Sequence, residues 1–121
     1  MKTNIAELKA KIEKGKFPLD YTHFAGTNLI ITNDENYHGI EDDIVICTPH
    51  AGPLSWMVFQ MKEIFKDQLN HQNKYEFYPV IGDILRNKFK QEGDLIDIML
   101  FILTEMEEQF SRKAVVTEAH F

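Results

Sequence analysis

The chain has 121 residues, 44% hydrophobic and 26% charged, with one cysteine and a formal net charge of -6 at pH 7. This length and balance suit one globular domain that folds without disulfides or metal, and they argue against a disordered chain. A lone cysteine excludes a disulfide-stapled scaffold, and no apolar run approaches the roughly 20 residues that cross a bilayer.

Met1-Lys2-Thr3-Asn4 leads into an amphipathic segment rather than the apolar core of a signal peptide, so a soluble cytoplasmic protein is expected. Asn4 to Lys14 reads as a short helix. Asn4 followed three residues later by Glu7 resembles a capping box, and Gly15 is placed to stop the helix. Ile5, Leu8 and Ile12 mark its buried side; Lys9, Lys11 and Lys14 form a solvated one. Lys16 to Gly26 has neither helical nor strand period and is expected to be irregular, with its aromatics packed on the core.

Asn28–Thr32 and Asp43–Thr48 are short, apolar and β-branched, and read as two strands. The ten residues between them, Asn33–Asp42, are too few for a crossover helix. An antiparallel hairpin is therefore expected. Pro49, Gly52 and Pro53 punctuate the next junction, and Pro53 suits the first position of a helix. Leu54, Met57, Val58, Met61, Ile64, Phe65 and Leu69 then define one helical face. Trp56 and Phe59 fall off that face. Either they anchor an interface, or the helix is sandwiched and both rings are core.

Asn70–Lys74 is polar and reads as a connection, with a helix from Pro79 to about Lys90 carrying Val80, Ile81, Ile84, Leu85 and Phe89. Residues 94–111 form the expected central helix. Leu95, Met99, Ile102, Met106 and Phe110 recur on one face, Asp94 suits the N-cap, and the first half is apolar nearly all round. Val115-Val116 in the tail suits a third strand or a disordered end. The expected fold is α+β: about four helices packed around residues 94–111, with a small antiparallel sheet.

The charge is unevenly placed. Between Phe17 and Met61 there is no Lys or Arg, while Asp20, Asp34, Glu35, Glu41, Asp42 and Asp43 lie there. The rest of the chain is neutral, with thirteen basic and thirteen acidic residues. Phosphate contacts need cations, so this region is not expected to bind nucleic acid directly. It suits a basic partner instead.

No motif carries catalysis. Cys47 and His50 have C-x-x-H spacing, but no second ligand pair follows and no group orients His50 as a base. Cys47, at the end of an apolar strand, is expected to be a small buried hydrophobe. The acidic link does not match a calcium loop, because Gly39 is misplaced for it. Gly26, Gly39 and Gly52 are too far apart to cradle a phosphate. No metal and no cofactor are expected. A solvated link that only keeps an edge strand soluble would have the same composition.

A small acidic domain without a catalytic motif, with an acid-only stretch from Asp20 through Asp43, resembles the bacterial immunity proteins. These neutralise the toxic C-terminal domains of contact-dependent growth inhibition systems and related polymorphic toxins. The resemblance implies a non-enzymatic inhibitor whose acidic side chains cover the nucleic-acid-binding cleft of a basic nuclease toxin. Such families differ in fold, so no residue role is carried over from them. From the residues themselves, the expected partner-binding set is Asp34, Glu35, Tyr37, Glu41, Asp42 and Asp43, with Trp56 and Phe59 supplying apolar area. Two rival functions fit the same composition: a structural or adaptor domain that self-associates through Trp56 and Phe59, and a small hydrolase using the carboxylates.

Overall fold

The computed structural model describes residues 4–21, 24–25, 28–66, 73–88 and 94–119. Four helices accompany a small sheet in these residues, an α+β arrangement.

Helix α1 (Ile5–Glu13) is closed at both ends by its own sequence. The Asn4 side chain accepts a hydrogen bond from the Glu7 N–H at 2.9 Å, satisfying one of the four N–H groups that a helix start leaves open. At the other end Gly15 sits at φ +68°. The Lys16 N–H donates to the Lys11 carbonyl at 2.8 Å and the Gly15 N–H to Ile12 at 3.0 Å. This is the Schellman pattern, which needs the left-handed conformation that glycine adopts without strain. Leu8 and Ile12 are fully buried.

Strands β1 (Phe24–Ala25), β2 (Leu29–Thr32) and β3 (Ile44–Cys47) form a sheet in that order. β1 pairs antiparallel with β2, so part of the segment expected to be irregular is a strand. β2 and β3 pair parallel, in the register Leu29↔Ile44 through Thr32↔Cys47, and not as the expected antiparallel hairpin. The reason is reach. Returning along a strand of four residues takes about 13 Å. The link of residues 33–43 spans roughly 36 Å when extended. A loop therefore makes the crossover that a helix usually makes. Alternation of buried residues could not reveal this, because Leu29, Ile31 and Ile46 reach the core in either strand direction.

Helix α2 (Ala51–Phe65) starts two residues before Pro53. Pro53 is thus the third helical residue, still in the first turn, where a missing N–H removes no helical bond. Leu54, Met57, Val58, Met61 and Phe65 are buried, as the spacing predicts, and Ile64 is half-buried; Leu69 lies outside the described residues. A methyl group at Gly52 would stand 2.2 Å from the Leu19 carbonyl oxygen. The backbone of residues 17–21 therefore lies directly on the first turn of α2.

Helix α3 (Asn73–Lys88) begins six residues before Pro79, where a start had been expected, and carries that proline inside. Phe77, Ile81, Ile84 and Leu85 form one buried stripe that runs across the proline. Burial of that stripe outweighs the lost backbone bond. Phe89 and Lys90 lie outside the described residues. Gly82 packs on the sheet, where an added methyl would stand 2.9 Å from Ile44 Cγ2 and 3.5 Å from Leu29 Cδ1.

Helix α4 (Leu95–Ala119) extends past residue 111, so the Val115-Val116 segment is helical and adds no strand. The Asp94 carbonyl accepts the Ile98 N–H at 2.9 Å, as an N-cap residue should. Ile98, Met99, Ile102, Leu103 and Met106 are buried, while Phe101 is exposed. α4 touches α1, α2 and α3, and α2 touches β1 and β2. α4 is thus not enclosed on most sides as expected, because Asp97, Phe101 and Thr104 on its outer side are exposed, and both α2 and α3 reach the sheet. No described helix is long and apolar enough to cross a membrane.

Candidate functional site

Five of the six carboxylates in the Lys- and Arg-free stretch stand on the crossover loop, residues 33–43. Asp20 stands apart, exposed, ahead of β1. Two short turns give the loop its shape. In the first, the Thr32 hydroxyl accepts the Asp34 N–H at 3.0 Å. The Asp34 carboxylate accepts the Asn36 N–H at 3.0 Å, and the Asp34 carbonyl accepts the Tyr37 N–H at 3.2 Å. In the second, the Asp43 carboxylate accepts the Ile40 N–H at 3.0 Å, and the Ile40 carbonyl accepts the Asp43 N–H at 2.8 Å. Such local bonds are the reason Asp favours turns.

Gly39 joins the two turns. Its φ is +70°, and a methyl group there would stand 2.9 Å from Val45 Cγ2. The loop therefore crosses the face of β3 that carries Val45, opposite the face of Ile44 on which α3 packs.

This geometry divides the acidic residues. Asp34 and Asp43 spend a carboxylate oxygen on the loop's own backbone. Glu35, Glu41 and Asp42 are exposed, and among the described residues no Lys or Arg pairs with them. Tyr37 is 42% exposed and Ile40 is 80% exposed, so both apolar groups of the loop stand in solvent.

Trp56 and Phe59 do not act as a pair. Trp56 is half-buried and packs against the core, with its ring centroid 6.2 Å from that of Phe17. Phe59, one turn along α2, is 40% exposed. Trp56 is thus a partly buried packing residue, while Phe59 is exposed.

Cys47, expected to be buried, is exposed. Alternation along β3 puts Ile46 on the core side and Cys47 on the other, at the strand's end. His50 precedes α2, and its backbone N–H donates to the Thr48 hydroxyl at 3.1 Å. Among the described residues no three of His, Cys, Asp and Glu converge as metal ligands would.

Two residues that shape the loop, Thr32 and Ile40, were not singled out from the sequence, and Gly39 was weighed there only against calcium and phosphate loops. Gly39 and Ile40 did carry a signal. A glycine followed by one apolar residue, inside an otherwise charged link, has no periodicity to bury that residue. Comparison with models of known protein families, with characterised proteins and with solved structures found no match.

Proposed function

We propose that this chain is a non-enzymatic inhibitor, of the bacterial immunity type. It binds a basic partner protein, a nuclease toxin domain, and covers its active-site or nucleic-acid-binding cleft with acidic side chains. One observation carries this reading. Glu35, Glu41 and Asp42 stand exposed on a turn-braced loop, within a stretch from Phe17 to Met61 that has no Lys or Arg.

A cleft that binds nucleic acid is lined by cations placed for phosphate oxygens. Carboxylates satisfy the same cations through charge-assisted hydrogen bonds. A loop with one sign of charge also speeds encounter with the opposite sign. Asp34 and Asp43 hold the loop's shape and add to its field. Tyr37 and Phe59 supply apolar area, and Trp56 supplies what its packing on Phe17 leaves accessible. The same one-signed surface disfavours direct contact with nucleic acid.

The test is retention of a partner from extracts of the source cells on immobilised chain at low ionic strength. The retained protein is then identified, purified and assayed for nuclease activity. The expected result is a basic nuclease that salt elutes and that an equimolar amount of the chain silences. If no basic protein is retained, or if the retained protein's activity is untouched by the chain, the proposal fails.

A further inference from the structure

We propose that the open edge of the sheet, strand β3, takes an extended segment of the basic partner as an added strand. This rests on the inhibitor reading and deepens it, by naming how the partner is held. The sheet order is β1-β2-β3, so β3 has a strand neighbour on one side only. The Ile44 N–H donates to the Asn28 carbonyl at 2.6 Å, and the Thr48 N–H donates to the Thr32 carbonyl at 2.9 Å. Backbone groups alternate sides along a strand. Ile44, Ile46 and Thr48 therefore bond toward β2, while the N–H and C=O of Val45 and Cys47 point away from it. Among the described residues nothing bonds those outward groups.

Such a row is a template for another chain, and edges are commonly protected by lysine, proline, a bulge or an inward-pointing charge. Ile44-Val45-Ile46-Cys47 has no lysine, proline or charge, and its register with β2 runs without a bulge. Its shortness is its one protection. Val45 is half-buried and Cys47 is exposed, so solvent reaches this part of the strand.

Charge selects the occupant. Glu41 and Asp42 stand exposed just ahead of β3, and no Lys or Arg lies between Phe17 and Met61. A strand with Lys or Arg where it passes Glu41 and Asp42 completes the ladder and meets opposite charge. A second copy of this chain meets like charge instead, since it brings the same acidic loop and a net charge of -6. Main-chain bonds supply the affinity of an added strand, and its side chains supply the choice of sequence.

The probe is the basic protein retained from source-cell extract, produced and purified separately. Cys47→Pro deletes one outward N–H and leaves the bonds to β2, because proline is tolerated where the N–H of an edge strand faces solvent. It should melt as the wild type does and bind the probe roughly tenfold more weakly, the effect of leaving an acceptor unpaired. Cys47→Ala also lacks the thiol but keeps the N–H, and it should bind more tightly than Cys47→Pro by that same factor. Amide exchange reads the edge without a substitution. The Val45 and Cys47 amides should exchange fast in the free chain and be protected in the complex, with Ile46 protected in both. If Cys47→Pro binds within about twofold of wild type, or if the Val45 and Cys47 amides stay unprotected in the complex, the added strand is overturned. The inhibitor reading then stands wherever the chain still silences the probe's nuclease activity. If Cys47→Pro melts lower than wild type, the exchange experiment decides alone. A free chain that sediments as a dimer, and that Cys47→Pro separates, would give the edge to a second copy and overturn the proposal. If no basic protein is retained, the inhibitor reading falls and the strand site falls with it.

Discussion

Asp43 and Ile40 hold each other by two backbone-anchored hydrogen bonds: the Asp43 carboxylate accepts the Ile40 N–H at 3.0 Å, and the Ile40 carbonyl accepts the Asp43 N–H at 2.8 Å. The pair turns one of five clustered acids into a structural part. Asp34 does the same at the other end, through Asn36. The cluster is therefore not a uniform patch of charge, and its members should respond differently to substitution.

Asp43→Ala should cost about 1 kcal/mol, the usual value of one such hydrogen bond. Asp43→Asn keeps an acceptor oxygen, relieves like-charge repulsion, and should hold stability near wild type. Glu41→Gln and Asp42→Asn make no described bond and should stay within about 0.5 kcal/mol. Urea unfolding of the four variants checks this. Equal losses for Asp43→Ala and Asp42→Asn would show that the turn is not held as described.

Gly52 makes a second stability prediction. Its Cβ position lies 2.2 Å from a backbone oxygen, that of Leu19, which cannot rotate away as a side chain would. Gly52→Ala should therefore destabilise by about 1–3 kcal/mol, the range for overpacking, although alanine favours helices. Gly15→Ala meets no atom within 4 Å but sits at φ +68°, so a smaller loss, about 1 kcal/mol, is expected from strain alone. Thermal melts of both variants measure the order.

Ile98 and Ile102 lie on the buried side of α4. An aspartate at either position would be an unpaired charge in an apolar site, costing several kcal/mol or forcing its own neutralisation. Ile98→Asp or Ile102→Asp should abolish cooperative unfolding or soluble expression. Melting like wild type in both would remove α4 from the centre of the fold.

Much of this architecture was legible because it is local. Asn4, Glu7 and Gly15 announce a helix start and stop through bonds made within a few residues. The stripes on α2 and α4 follow from periodicity. What was illegible depended on distant partners. The parallel pairing of β2 and β3 rests on a loop long enough to carry the chain back along the strand, which no strand pattern encodes. The passage of α3 through Pro79 is decided by burial of Phe77. At the candidate site the carboxylates were visible as composition. Their division into braces and exposed charges was not, because it depends on which oxygen meets which N–H. Trp56 packs on Phe17, a residue far from it in the chain, which no local spacing could show.

The exposed charges make the last prediction. Glu35, Glu41 and Asp42 share one loop, and the described Lys and Arg side chains leave them unpaired. Holding like charges together costs self-repulsion. Neutralising all three as Glu35→Gln, Glu41→Gln and Asp42→Asn should therefore leave stability unchanged or slightly raised. Against the retained basic protein, the same change should slow association about tenfold at low ionic strength and far less at high salt, where the Debye length shrinks to roughly 3 Å. Dissociation should change little, because rim charges act mainly on encounter. The competing role, keeping the sheet edge soluble, leads elsewhere. The triple variant would then aggregate with its association rate intact, since an edge loses its protection when its charges go. Stopped-flow association at two salt concentrations, with light scattering on the same samples, separates the two. An unchanged rate at both concentrations would leave these carboxylates with no part in recognition.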